Sequence, residues 1–117
     1  MSVVDDDESV RESLPDLLKV LGFEACAFSS PKEFLASGCV EKSGCLILDL
    51  AMPEMNGPEL QQELKCRGQE IPIIFITAQK EEDVRAKMIE SGAVDCLFKP
   101  FSDTDLLNAL NKVFRSG

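Results

Sequence analysis

The stretch Cys45-Leu46-Ile47-Leu48-Asp49-Leu50-Ala51-Met52-Pro53-Glu54-Met55-Asn56-Gly57 joins an unbroken apolar run to a loop, with a carboxylate at the seam. A run that is apolar at consecutive rather than alternate positions is the pattern of a strand buried on both faces, as in a parallel sheet covered by helices. Asp49 then ends that strand at the carboxyl rim of the sheet, where open α/β folds bind their ligands.

Outward from this strand the same unit repeats. Upstream, Val3-Val4 is a short apolar stub that runs into Asp5 and Asp6, and Val10, Leu14, Leu17, Leu18 and Leu21 recur at helical spacing up to a stop at Gly22. Pro15 falls inside that helix, where it removes a hydrogen bond, so a bend is expected there rather than a break. Phe23 to Phe28 is the second strand, its pattern diluted by Glu24 and alanines, and Ser30-Pro31-Lys32-Glu33 reads as a capping box with proline at the first helical position. A short helix through Phe34 and Leu35 follows. Downstream, Asn56-Gly57-Pro58 opens a helix through Leu60 and Leu64 that ends at Gly68, and Ile71 to Ile76 is a wholly apolar fourth strand ending at Thr77. Residues 81 to 91 predict a charged helix with Val84 and Met88 inward and Gly92 as its stop. Val94 to Phe98 is the fifth strand, closed by Lys99-Pro100, and Leu106, Leu107, Leu110, Val113 and Phe114 form the inner stripe of a last helix.

Strands alternating with helices imply an α/β doubly wound parallel sheet with right-handed crossovers. No linker interrupts the 117 residues, so residues 1–117 are read as a single domain. Composition excludes several functions. There is no histidine, which removes Ser-His, Cys-His and histidine-metal mechanisms together. The five cysteines are odd in number and form no C-x-x-C pair, so they are read as reduced structural thiols, without a zinc site, in a cytoplasmic protein. The longest apolar runs are strand-sized and no secretory signal opens the chain, which argues against a membrane location. A net charge of −9 opposes attraction to nucleic-acid phosphates and to anionic membranes.

If the strand order is 2-1-3-4-5, the flavodoxin-like order, the first and third strands are neighbours at the switch point and Asp5, Asp6 and Asp49 converge on one crevice. Three close carboxylates need a cation, or some must stay protonated. Oxygen ligands without histidine or thiolate suit Mg²⁺, with Mn²⁺ as a substitute. Thr77 and Lys99 end the fourth and fifth strands on the same edge, offering a hydroxyl and an ammonium to a phosphoryl group, and an aspartate can be the covalent acceptor. Plainer readings exist for each residue alone. The acidic run could simply start a helix, Thr77 could be a strand-end hydroxyl and Lys99 a solvated lysine; their shared edge favours a site. Asp7 and Glu8 are read as first-turn acids, Gly57 as a backbone position in the loop before the third helix, and Met52, Met55 and Met88 as packing or loop residues.

These residues resemble a receiver domain of the two-component response-regulator superfamily across essentially the whole chain. The likeness rests on Val4-Asp5-Asp6, on Asp49 through Gly57, on Thr77-Ala78 and on Lys99-Pro100-Phe101. Val4-Asp5-Asp6-Asp7-Glu8-Ser9-Val10-Arg11 and Gly92-Ala93-Val94-Asp95-Cys96-Leu97-Phe98-Lys99-Pro100-Phe101 are most similar to FixJ-like receivers, which precede a helix-turn-helix transcription domain. The resemblance implies that Asp49 accepts a phosphoryl group from a sensor histidine kinase. It implies that Asp6, Asp49 and the Ala51 carbonyl bind Mg²⁺ directly, with Asp5 acting through water. Thr77 would then hydrogen-bond the phosphoryl oxygen and Lys99 pair with it, with the Lys99-Pro100 bond in cis. Its partners would be an output domain or protein on the helix 4–strand 5–helix 5 face, or a phosphorylation-dependent homodimer, and its output transcription regulation. On this reading the chain is not an enzyme beyond assisting its own phosphorylation and dephosphorylation. It is either a stand-alone receiver or a module excised from a longer chain, and its very short first strand suggests trimming.

One position departs from the family pattern, and two more stand where the family varies. Cys96 stands where receivers usually carry a Tyr or Phe that reports phosphorylation, so the coupling to output is expected to run through Thr77 and helix 4. Ala51 and Gln79 occupy the positions that tune phosphoryl lifetime. Two other functions compete: a binding module that signals without phosphate, and an Mg²⁺-dependent aspartyl-phosphate phosphohydrolase. The latter generally needs a second aspartate two residues after the nucleophile, where this chain has Ala51.

Overall fold

The computed structural model describes residues 1–38, 40, 44–50, 57–78, 82–99 and 101–114. Along them run β1 (Ser2–Val4), α1 (Glu8–Val20), β2 (Cys26–Phe28), α2 (Pro31–Ala36), β3 (Leu46–Asp49), α3 (Gly57–Cys66), β4 (Ile73–Thr77), α4 (Glu82–Glu90), β5 (Asp95–Phe98) and α5 (Asp103–Phe114). The five strands form one sheet in the order β2-β1-β3-β4-β5 and every pairing is parallel, as the alternation of elements predicts. The chain order reverses between β1 and β3, and Asp5 and Asp49 stand at the ends of those two strands.

The pleat divides the core into two layers. Val4, Leu46, Leu48, Phe75 and Cys96 point to one face, where Leu60 and Leu64 of α3 and Phe34 of α2 cover them. Val3, Ile47, Ile74, Ile76 and Leu97 point to the other, under Leu14 and Leu18 of α1 and Leu106, Ala109 and Leu110 of α5. The same alternation extends past the strand ends. Asp5, Asp49 and Lys99 share the parity of the α1/α5 face, whereas Thr77 shares that of the α3 face.

Several local expectations change. β2 is three residues rather than six, because Phe23 to Ala25 lie outside the ladder at the sheet's edge and Glu24 is exposed. β4 begins at Ile73, after Pro72, which has no N–H to donate. In α5 the buried stripe is Leu106, Ala109 and Leu110, whereas Leu107 is 38% and Phe114 51% exposed. Leu107 is one residue off the i, i+3, i+4 spacing, so it rotates away from the sheet. Phe114 covers its ring by stacking on Phe23, with centroids 5.3 Å apart. α1 runs unbroken across Pro15. Ser30 caps α2 by accepting from the Glu33 N–H at 3.1 Å, while the Glu33 carboxylate takes the Ser29 hydroxyl at 2.5 Å. Among the described cysteines Cys45 and Cys96 are buried, Cys26 and Cys66 exposed, and all four are free thiols.

Candidate functional site

Asp5 is fully buried just beyond β1, and its two carboxylate oxygens are held by different groups. Oδ1 accepts the Asp7 N–H at 2.9 Å, and Oδ2 accepts the Lys99 ammonium at 2.9 Å. The Asp7 side chain in turn caps α1, accepting from the Ser9 N–H and hydroxyl, which fixes the short bend between β1 and the helix. These hydrogen bonds from Ser9 hold the Asp7 carboxyl below the usual carboxylate value. Arg11, one turn into α1, donates to the Asp5 backbone carbonyl at 3.0 Å. Arg11 follows the acidic stretch that begins at Asp5, and residue type alone does not assign it this contact.

Asp49 is 6% exposed at the end of β3. One carboxylate oxygen from each of Asp5, Asp6 and Asp49 fits within 4.8 Å of the others, with Asp6 exposed to solvent. Lys99 extends from the end of β5 to within 4.0 Å of Asp49 Oδ2. Burial works against the lysine's charge, but the Asp5 hydrogen bond and the charges of Asp49 and Asp5 outweigh it and hold the ammonium above its ordinary value. Thr77 is buried at the end of β4, one position beyond Ile76, the register partner of Asp49. Its carbonyl accepts the Lys99 N–H at 2.7 Å, so the hydroxyl-bearing residue and the lysine leave the sheet side by side.

Gly57 has a larger part than its reading as a loop residue allows. It is the first residue of α3, and its N–H donates to the Leu50 carbonyl at 3.0 Å, bringing the chain back beside Asp49. A β-carbon there would stand 2.8 Å from the Phe75 ring and 2.9 Å from the Asp49 carbonyl oxygen, a space only glycine fits. Ala51, Gln79 and the Lys99-Pro100 bond lie outside the described residues, as do Met52, Met55 and Cys39. Cys96 is almost completely enclosed on the α3 side of β5, and burial pushes its thiol up to about 11.

The donor set is oxygen-only, partly open to solvent at Asp6 and more negative than Lys99 alone offsets, which matches a hard divalent cation. A doubly wound α/β domain with acids at its switch point and a lysine across from them defines a small class. Residues 1–111 match the family model for the response regulator receiver domain. The response regulator protein TodT of Pseudomonas putida is 41% identical over 97% of this chain, and the transcriptional regulatory protein FixJ of Rhizobium meliloti is 37% identical over 94%. The match takes in 50% of TodT and 54% of FixJ, so the chain spans about half the length of these relatives. Among solved structures, the response regulator StyR superposes with a TM-score of 0.86 at 42% identity, over 97% of this chain and 58% of that one. FixJ-N superposes at 0.85 with 34% identity, over 99% of this chain and 93% of that one. The chain belongs to the response regulator receiver domain family, a class of phosphoacceptor signalling domains, and FixJ is among the members it resembles.

Proposed function

We propose that Asp49 is the phosphoacceptor, that Asp6 and Asp49 with the Ala51 carbonyl hold Mg²⁺ or Mn²⁺ directly and Asp5 through water, and that Thr77 and Lys99 receive the phosphoryl oxygens. The observation that carries this reading is the placement of Asp49 against two further acids and 4.0 Å from the Lys99 ammonium. An Asp49 carboxylate oxygen attacks the phosphorus of a sensor kinase's phosphohistidine. The new P–O bond forms as the P–N bond breaks, and the imidazole nitrogen leaves with the bonding pair. When bound, the cation offsets the charge of the phosphoryl oxygens and of the acids around them. Lys99 is already charged and lies between two acids, so a short movement from Asp5 toward Asp49 lets it pair with the incoming group. Both oxygens of Asp5 are engaged, which supports a role for it through water rather than as a direct ligand.

The domain is a switch rather than a turnover enzyme, and the whole protein regulates transcription from the cytoplasm. The free thiols at Cys26, Cys45, Cys66 and Cys96 suit a reducing compartment. The reader of the switch is an output domain, a partner protein or a second copy of the chain on the α4–β5–α5 face. Cys96 is too small and too enclosed to alternate between buried and exposed positions, so the change leaves the site through Thr77 and α4. Incubation with Mg²⁺ and acetyl phosphate tests the assignment: intact mass should rise by one phosphoryl group in the wild type and not in Asp49→Asn. Equal gain in both, or multiple turnover of a simple phosphate ester, contradicts it.

A further inference from the structure

Asp95, the first residue of β5, is a buried carboxylate with no place in the site described above. Its Oδ1 accepts Arg85 of α4 at 3.1 Å and the Cys96 N–H at 2.8 Å. Its Oδ2 accepts Lys112 of α5 at 2.9 Å. One acid therefore joins both helices that flank β5. The two cations are about half exposed, 47% and 51%, whereas the Asp95 side chain is 5% exposed.

The three groups are not equally easy to separate. Removing every cation from a buried carboxylate is costly, but removing Arg85 leaves Asp95 with Lys112 and a backbone N–H, so one arm can open without orphaning the charge. α5 is held to the sheet by Leu106, Ala109 and Leu110, all fully buried. Among its described side chains α4 has no fully buried anchor: Val84 and Met88 are only half-buried and Ile89 is exposed. Met88 packs against the core from near the C-terminal end of α4, and among the described residues the helix's further polar ties lie just past that end. There the Ser91 carbonyl accepts Gln61 Nε2 at 3.2 Å and Lys65 Nζ at 3.0 Å, both from α3. Its N-terminal end follows β4 and Thr77. A helix pinned at its C-terminal end and clipped by one arginine in its first half can pivot between discrete positions while its polar groups change partners.

We propose that the Arg85–Asp95–Lys112 cluster is a latch that holds α4 in its resting position, and that the Arg85 arm releases when Asp49 is phosphorylated. The latch rests on the phosphoacceptor reading and supplies the coupling element that Cys96 cannot. Because Asp95 keeps Lys112 throughout, α4 moves relative to α5 and the sheet while α5 stays in place.

Coupling is reciprocal, so weakening the latch must tighten the site for a phosphoryl mimic. The probe is Mg²⁺ with beryllium fluoride, followed by isothermal titration calorimetry and fluorine NMR on the whole 117-residue chain. Arg85→Gln should bind the mimic about two- to fivefold more tightly than the wild type, the size expected when one half-exposed ion pair is lost. Arg85→Glu should increase affinity further, and Arg85→Lys should return it toward the wild-type value. Lys112→Gln removes the same charge from the same carboxylate but leaves the α4 arm closed, so its affinity should be unchanged or weaker. Unchanged or weaker binding in Arg85→Gln, or an equal gain in Lys112→Gln, overturns the latch. Absence of binding in the wild type, or equal binding in Asp49→Ala, overturns the phosphoacceptor reading and the latch with it. Arg85 is on the surface, and a urea melt of each variant confirms that the fold is kept.

Discussion

Replacing Lys99 with methionine keeps the length of the side chain but removes the one cation paired with the Asp5 carboxylate among the described residues; Arg11 reaches only the Asp5 backbone carbonyl. Asp5 is fully buried, so the variant leaves Oδ2 facing a thioether, although Oδ1 still accepts the Asp7 N–H. Removing one partner of a buried pair costs about 3–5 kcal/mol. The Lys99 side chain is 20% exposed, so water reaches the vacated position and relieves part of that cost. We expect a loss of about 2–4 kcal/mol, a large fraction of the roughly 5–15 kcal/mol that stabilises a domain. The chain has no tryptophan or tyrosine, so urea unfolding has to be followed by far-ultraviolet circular dichroism, in buffer containing a chelator. The midpoint should fall with the slope unchanged. Added Mg²⁺ should restore more stability to the variant than to the wild type, because a divalent cation replaces the lost charge among the acids. A loss below about 0.5 kcal/mol, the worth of an exposed pair, would refute the view that Lys99 is what makes a buried Asp5 tolerable.

Other outcomes follow from the same geometry. Gly57→Ala forces a β-carbon against Phe75 and the Asp49 carbonyl, and should cost about 1–3 kcal/mol in urea melts and slow acetyl-phosphate labelling. Lys99 has its folded-state pKa raised above 10.5, so the stability it contributes is fully present below that value and lost as pH climbs through the higher folded one. The wild type's advantage over Lys99→Met should therefore be constant near neutrality and shrink in strongly alkaline urea melts. Burial pushes the Cys45 thiol up to about 12 and, with help from Asp95, that of Cys96 to about 11. Iodoacetamide at neutral pH should therefore modify Cys26 and Cys66 and spare Cys45 and Cys96, as read by peptide mass spectrometry.

The parallel sheet was legible because buried strands write continuous apolar runs: Leu46 to Leu48 and Ile73 to Ile76 are buried on both faces, and each run ends at a site residue. Gly22, Gly68 and Gly92 marked helix ends and all have positive φ there. β2 was overextended because Phe23 and Ala25 look like strand residues, yet an edge position gives them no ladder partner. Leu107 and Phe114 were misplaced since apolar character alone does not fix a helix face; Ala109, which carries less hydrophobic signal, takes the inner position. That Asp5, Asp6, Asp49 and Lys99 converge, with Thr77 beside Lys99, was legible because a strand-end position predicts where a side chain goes. Asp95 could not, because its partners Arg85 and Lys112 sit on separate helices and only the folded crossing brings them to one carboxylate. An acid opening an apolar strand was the available sign. Gly57 escaped for a related reason: its constraint comes from neighbours distant in sequence, Phe75 and the Asp49 carbonyl, rather than from its own turn.

On the proposed function one carboxylate, Asp49, takes the phosphoryl group. The direct test is peptide mass spectrometry of the chain treated with acetyl phosphate and Mg²⁺, with the acyl phosphate trapped by borohydride reduction. Modification at Asp49 alone, lost in Asp49→Asn and on omission of the metal, is the predicted result. Labelling at Asp5, Asp6 or another residue in the wild type, or labelling that persists without Asp49, would contradict it.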